Sequence, residues 1–455
     1  MHNSLVAKWL HGPPVVRIGS RRWFLEIGAA GLAGSPLLSA SANSGDSVPQ
    51  SSDRKAVILI WLSGGPSQLD MWDPKPEASS EIRGPYGTIA TKLPGVRFCE
   101  HLPLQASIAD QLSIIRSLDC RTSDHTPITM QAGNPLARRT NDGKDGDGYP
   151  SMGSVAAKLR GPNQRDMPPF VGLADSWVSD VWEAGNMGRS FAPVNGRDLM
   201  GKFGMPSGLT VDRLQDRESI RRELSRLGHQ LDQSDSSSAA AFDKNAKQAH
   251  DMILSGKVAR AFRLEDEPDS LRDSYGRNSL GEKTLLARRL VESGVTFVLV
   301  SGAWGYFDHH GDNVKWGGIV KGLTPLLPQV DRVLHALVQD LTQRGLLDST
   351  LVLMMGEFGR SPRINAEAGR DHWTNVMSMI MAGGGLRHGQ VIGSTDRQGG
   401  DITSSPVRPQ DLAATTFRHL GIDLNAAWTN AQGRPIPIVC EGGRPIPEFY
   451  RSIES

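Results

Sequence analysis

Four short stretches of this chain gather side chains able to hold a cation or move a proton. In the first, Gly64-Gly65-Pro66-Ser67-Gln68-Leu69-Asp70-Met71-Trp72-Asp73, two carboxylates stand three residues apart behind glycines that let the backbone approach a ligand closely. Asp73, just before Pro74, also suits an ordinary turn. In the second, Ser123-Asp124-His125-Thr126, hydroxyls flank an imidazole and a carboxylate. That set can act as nucleophile with base or as ligands. The third, Gly305-Tyr306-Phe307-Asp308-His309-His310-Gly311-Asp312, has two imidazoles and two carboxylates within five positions. Burying both rings would require partners for four ring nitrogens, so a metal site is the economical explanation. The fourth runs from Gly356-Glu357-Phe358-Gly359-Arg360 to Gly369-Arg370-Asp371-His372-Trp373. Glu357 offers a hard oxygen ligand, His372 a nitrogen ligand, and Arg360 or Arg363 a fork for sulfate or phosphate. A surface loop tied by ion pairs accounts for the arginines equally well.

Together these stretches supply oxygen and nitrogen donors for one or two divalent ions. Two ions about 4 Å apart would clamp the attacking and leaving oxygens of an ester hydrolysis. The imidazoles favour zinc and the carboxylates manganese, magnesium or calcium, so the donor mixture leaves the metal open.

The stretches lie hundreds of residues apart, so strands must bring them together. The run 55–62, Lys-Ala-Val-Ile-Leu-Ile-Trp-Leu, is continuously apolar and ends at Ser63-Gly64-Gly65-Pro66, the pattern of a strand buried on both faces. Similar runs at 112–116, 169–173, 295–301, 350–355 and 376–382 predict further strands. Residues 280–293 set Leu285, Leu286 and Leu290 against Arg288, Arg289 and Glu292, which predicts an amphipathic helix, and 326–344 repeats the scheme. Alternation of strands and helices predicts an α/β fold in three layers. A mostly parallel central sheet is covered by helices on both faces, and ligands bind beyond the carboxyl ends of its strands. The charged interval 211–263 reads as a helical hairpin inserted into this core. The Gly-rich run 141–148 lacks the closing Glu of a calcium-binding helix–loop–helix and reads as a solvated turn.

At 455 residues, 38% apolar and 22% charged, the chain can bury a sizeable core, which excludes disorder. Fifty basic against 49 acidic residues leave a formal charge of +1 and no basic stripe, so nucleic acid is not an expected partner. Three distant cysteines, Cys99, Cys120 and Cys440, rule out a disulfide framework but allow one bridge. Ser20-Arg21-Arg22-Trp23-Phe24-Leu25 matches the twin-arginine export pattern. The apolar run 27–38 that follows is too short to span a bilayer, and Ala40-Ser41-Ala42 offers a cleavage site. Residues 1–42 therefore read as a signal peptide recognised by the twin-arginine machinery. The mature protein is expected in the periplasm or outside the cell, with no membrane span.

The motifs themselves resemble those of the DUF1501 family, exported bacterial proteins placed in the alkaline phosphatase and sulfatase superfamily. The resemblance is carried by Leu62-Ser63-Gly64-Gly65-Pro66-Ser67-Gln68-Leu69-Asp70 with Asp73-Pro74-Lys75-Pro76, by Tyr149-Pro150-Ser151-Met152-Gly153-Ser154, and by the loop 304–312. It continues through Gly356-Glu357-Phe358-Gly359-Arg360, Gly369-Arg370-Asp371-His372-Trp373, Ala382-Gly383-Gly384-Gly385 and Gln390-Val391-Ile392-Gly393. It implies an alkaline phosphatase-like fold and a metal-dependent sulfuric or phosphoric ester hydrolase. By motif order, Asp70, Asp308, His310, Glu357 and His372 would hold the metal. On the reading adopted with it, Thr126 or Ser123 would attack, its hydroxyl activated by coordination or by His125, and Arg360 would steady the oxyanion of an anionic small-molecule or glycan ester. Two departures stand out. No cysteine lies in the C-x-P-x-R context that formylglycine chemistry needs, and Glu357-Phe358 replaces an Asp-His pair. They motivate a second expectation, a member without turnover that binds a charged glycan or a partner.

Overall fold

The protein is described from a computed structural model that covers residues 54–138, 148–196, 256–302 and 305–450. Its centre is an eight-stranded sheet built from β1 (Ala56–Trp61), β2 (Leu112–Leu118), β3 (Phe170–Leu173), β4 (Val194–Asn195), β5 (Phe297–Ser301), β6 (Thr350–Met355), β7 (Met377–Gly383) and β8 (Gln390–Ile392). The spatial order is β8-β2-β7-β6-β1-β5-β3-β4. β1 pairs in parallel with both β5 and β6, while β7 runs antiparallel to its neighbours β6 and β2. The ends of β1, β2, β5 and β6 therefore open onto one edge of the sheet.

Every residue of β1 is buried, as a continuous apolar run in a doubly covered strand requires. Alternate side chains enter two separate cores. Ile58 and Ile60 join Val298, Val300, Val352 and Met354 beneath α2 (Ser279–Ser293) and α3 (Leu327–Gln343). Val57 and Leu59 join Phe297, Leu299, Leu351 and Leu353 on the opposite face, against α1 (Met152–Leu159) and α4 (Pro409–His419). The three-layer α/β arrangement read from the sequence is thus observed.

The sequence pattern revealed α2 and α3 but not α1 and α4, and the reason is burial. α4 is covered on nearly all sides, so it has no polar face to mark it. In α1, Gly153 lies so close to Phe170 that a Cβ would meet the ring at 2.6 Å. Arg288 also departs from expectation. It stands opposite the leucines of α2, yet it is wholly buried and ion-paired with Glu267 at 2.7 Å and Asp340 at 2.8 Å, because α2 is enclosed on its outer side as well.

The signal peptide at 1–42, the turn at 141–147 and most of the hairpin expected at 211–263 lie outside the described residues. The end of that hairpin is described, and Lys257–Ala261 there is helical. Among the described residues no helix is long and apolar enough to cross a membrane. The three cysteines are unbridged.

Because Ile58 is fully buried in the central strand, Ile58→Ala should cost about 2–5 kcal/mol, read as a lowered urea midpoint at unchanged slope. Val178 is 90% exposed, so Val178→Ser should stay within about 0.5 kcal/mol of the parent.

Candidate metal centre

Loops that follow four strands, β1, β2, β5 and β6, meet at one point. Gly64 and Gly65 have φ of 109° and 88°, a region that disfavours side chains, and a Cβ on Gly64 would lie 2.6 Å from the Asp308 backbone nitrogen. The loop after β1 can therefore press against the loop after β5. The Gly64 N–H donates to Glu357 Oε1 at 2.8 Å, which joins the loop after β6 to the same turn.

At this junction His125, Asp308 and His372 each present one ligand atom, all within 4.8 Å of one another. His310 Nε2 adds a fourth donor, 2.8 Å from His372 Nε2 and 3.0 Å from Asp308 Oδ1. His372 Nε2 is also 3.0 Å from Asp308 Oδ1. Three imidazoles and one carboxylate form the donor set of a zinc-type site, in which ligand atoms stand about 3.3 Å apart around a tetrahedral ion. Separations of 2.8 to 3.0 Å are slightly tighter, which is consistent with donors that close on one another by hydrogen bonding.

The arrangement also assigns orientations. His125 Nδ1–H donates to Glu357 Oε1 at 3.0 Å, leaving Nε2 turned toward Asp308 Oδ2 at 3.6 Å. A carboxylate behind an imidazole fixes the ring and its tautomer, the usual support of a ligating histidine. Phe358, buried, lies 4.5 Å from the His372 ring and 5.4 Å from that of His125 and limits how either can turn. Asp308 is held well below the usual carboxylate range. Burial opposes this, but hydrogen bonds from His125, His372 and Arg360 outweigh it. Burial also works against a charged His125, yet Asp308 and Glu357 push its pKa up to about 9. His372 is lowered by burial, with the nearby charge of Arg360 helping to keep it in the neutral, ligating form.

Not all of the expected site residues come together. Glu357, expected as a ligand, has its Oε1 taken by the Gly64 N–H and His125 Nδ1–H, while its Oε2 has no partner. His125, expected as a base, has both ring nitrogens facing carboxylates, Glu357 Oε1 at 3.0 Å and Asp308 Oδ2 at 3.6 Å. Asp70, expected as a ligand, is not in the cluster. It accepts from Arg370 Nε at 2.7 Å and Nη2 at 3.1 Å, and from Ser67 Oγ at 2.6 Å, so both its oxygens are engaged. Asp73 is bound by Lys75 and Arg116 and belongs to a turn. The adjacent histidines separate: His310 reaches the centre, whereas His309 is buried with Nδ1 facing Trp316 O at 3.1 Å.

Arg360, expected to steady an oxyanion, is only 1% exposed and fully engaged. It donates to the carbonyls of Gly64, Gly65, Phe307 and Arg370 and to Asp308 Oδ1 at 2.6 Å. Gln68 grips its backbone in both directions, accepting from Arg360 N at 2.9 Å and donating to Arg360 O at 2.8 Å. Arg363 is exposed beside Glu81. Thr126 is half-buried, and its hydroxyl donates to Asp124 Oδ1. Ser123 is buried, with its hydroxyl 3.5 Å from the Asp124 carbonyl. Gln68 and Arg370 lay within the quoted motifs without an assigned role, because only the fold shows which distant backbone each side chain reaches.

The family model described as "Protein of unknown function (DUF1501)" matches residues 54–450. Among curated proteins no sequence matches. Among solved structures, the chain is similar to Ps i-CgsB in complex with k-i-k-neocarrahexaose, with 11% identity, 81% of this chain and 72% of that one covered, and a TM-score of 0.38. It is also similar to the PsFucS1 sulfatase from Pseudoalteromonas sp., at 12% identity, 81% and 68% coverage and a TM-score of 0.37. The phosphonate monoester hydrolase SpPMH from Silicibacter pomeroyi matches at 11% identity, 87% and 76% coverage and a TM-score of 0.36.

Arg370→Met should leave the Asp70 carboxylate buried without its partner and cost about 3–5 kcal/mol. Adding Asp70→Leu should restore most of that loss. Denaturant titration of the two variants checks this, and equal stabilities would show that the pair is not the source of the loss.

Proposed function

The chain belongs to the DUF1501 family, and we propose that it is an exported, metal-dependent hydrolase of an anionic sulfate or phosphate ester, either a small molecule or a glycan. The observation that carries this reading is the convergence of His125, Asp308, His310 and His372 at one edge of the sheet. These four residues would hold the ion, with Glu357 and Phe358 keeping His125 and His372 in register. The chemistry supplied by a bound divalent ion is Lewis-acid polarisation of an ester oxygen.

The nucleophile assigned here is Thr126. It shares a loop with His125, and Asp124 already accepts its hydroxyl hydrogen, so the carboxylate can take the proton as the oxygen attacks. Ser123 is the weaker candidate because it is buried and its hydroxyl is directed to a carbonyl. Arg360 acts on the reaction through Asp308, which it holds ionised and in place. Export rests on the twin-arginine pattern at 20–25 and places the folded protein in the periplasm or beyond.

One observation favours the alternative of a binding protein without turnover: the guanidinium expected to meet the anion is sealed within the fold.

The two readings separate on the purified protein. Zinc content should approach one per chain or more in the parent and fall at least about 10-fold in affinity in His310→Ala and His372→Ala. Thr126→Ala should keep its zinc but lose at least about 100-fold of any p-nitrophenyl sulfate or phosphate hydrolysis. Unchanged zinc in both histidine variants would remove the metal centre, while a zinc-loaded parent that turns over neither ester would leave binding alone.

A further inference from the structure

We propose a second, inner cation site at the Ser63–Gly64 turn, formed by Asp180 and Glu357 and suited to a small oxygen-preferring divalent ion such as Mg2+ or Mn2+. Asp180 is completely buried. Its Oδ2 accepts from Ser301 Oγ at 2.9 Å, whereas its Oδ1 has no hydrogen-bond partner. Glu357 is 2% exposed. Its Oε1 takes the Gly64 N–H and His125 Nδ1–H, whereas its Oε2 also has no partner. Each residue thus has one satisfied oxygen that fixes the carboxylate and one that is not.

Both carboxylates lie at the same turn. The Ser63 side chain is near enough to act on Asp180, and the adjacent Gly64 N–H donates to Glu357. The register places Ser301, Trp61 and Met355 side by side on β5, β1 and β6, so the groups just beyond them arise from three neighbouring strands. The two acids are near enough for the Glu357 charge to act on Asp180. Lys283, whose charge acts on Asp180, does not satisfy the open oxygens. Lys283 Nζ donates to Asp175 Oδ2 and to the carbonyls of Ser301 and Gly302, so its charge offsets part of the field without bonding to them.

Buried carboxylate oxygens without donors are costly unless something positive lies between them. With only oxygen donors at hand, a hard cation that retains some of its own water fits this position, in contrast to the imidazole-rich outer centre. Glu357 would then face both ways, orienting His125 through Oε1 and the inner ion through Oε2. The inner site shares only Glu357 with the outer centre and otherwise goes beyond the proposed activity.

The test is a count of Mn2+ per chain, by elemental analysis of chelator-stripped protein re-equilibrated with Mn2+, in the parent, Asp180→Asn and His372→Ala. The expected result is two in the parent and one in each variant. Equal counts in the parent and Asp180→Asn would overturn the inner site, whatever the outer centre does. An ion lost from Asp180→Asn but not from His372→Ala would uphold the inner site and reject the outer one. If Asp180→Asn does not fold, His372→Ala decides: one Mn2+ retained there and displaced by Mg2+ supports the inner site, and none retained overturns it.

Discussion

The junction depends on one buried cation. Arg360 contributes its guanidinium to the carbonyls of Gly64 and Gly65 after β1, of Phe307 and the Asp308 carboxylate after β5, and of Arg370 in its own loop. A buried charge is tolerated only when its donors are matched, and here the matching atoms come from separate strand ends. The guanidinium therefore acts as a linchpin: it cannot be satisfied unless the loops meet, and once they meet Asp308 stands ionised among the imidazoles. Gln68 completes the lock by occupying both backbone groups of Arg360.

Around that linchpin the acidic residues divide their work according to what faces them. Asp70 meets a buried guanidinium and becomes structural, while Glu357 meets an imidazole and a backbone N–H and becomes an orienting group. Asp308 meets three imidazoles and a guanidinium and becomes the anionic member of the centre. Chemically equivalent carboxylates thus differ in role because burial makes each one depend on its immediate partner.

The same logic accounts for the Phe at 358. An imidazole there would have added a donor, but the phenyl ring instead packs against two imidazoles and on Gly65, where a Cβ would touch it at 2.6 Å. A nitrogen donor reaches the junction instead from His125, in the loop after β2. A donor set can be rebuilt from another strand end because all these ends open onto one edge of a parallel sheet.

Much of this architecture was legible in the sequence. Continuous apolar runs marked six strands to within a residue or two, since a strand buried on both faces admits no polar alternation, and the periodicity of α2 and α3 marked their helices. The four stretches were visible as well, because their imidazoles and carboxylates crowd into short segments bounded by glycine. What composition and spacing did not contain was partnership. Whether Asp70 faces a metal or Arg370, and whether Arg360 meets solvent or carbonyls, depend on atoms 50 to 300 residues away in the chain. Local sequence determined which groups were available and which strands would carry them. Only the tertiary structure decided which of them meet, because a buried polar side chain takes its role from whatever the fold places within hydrogen-bond distance.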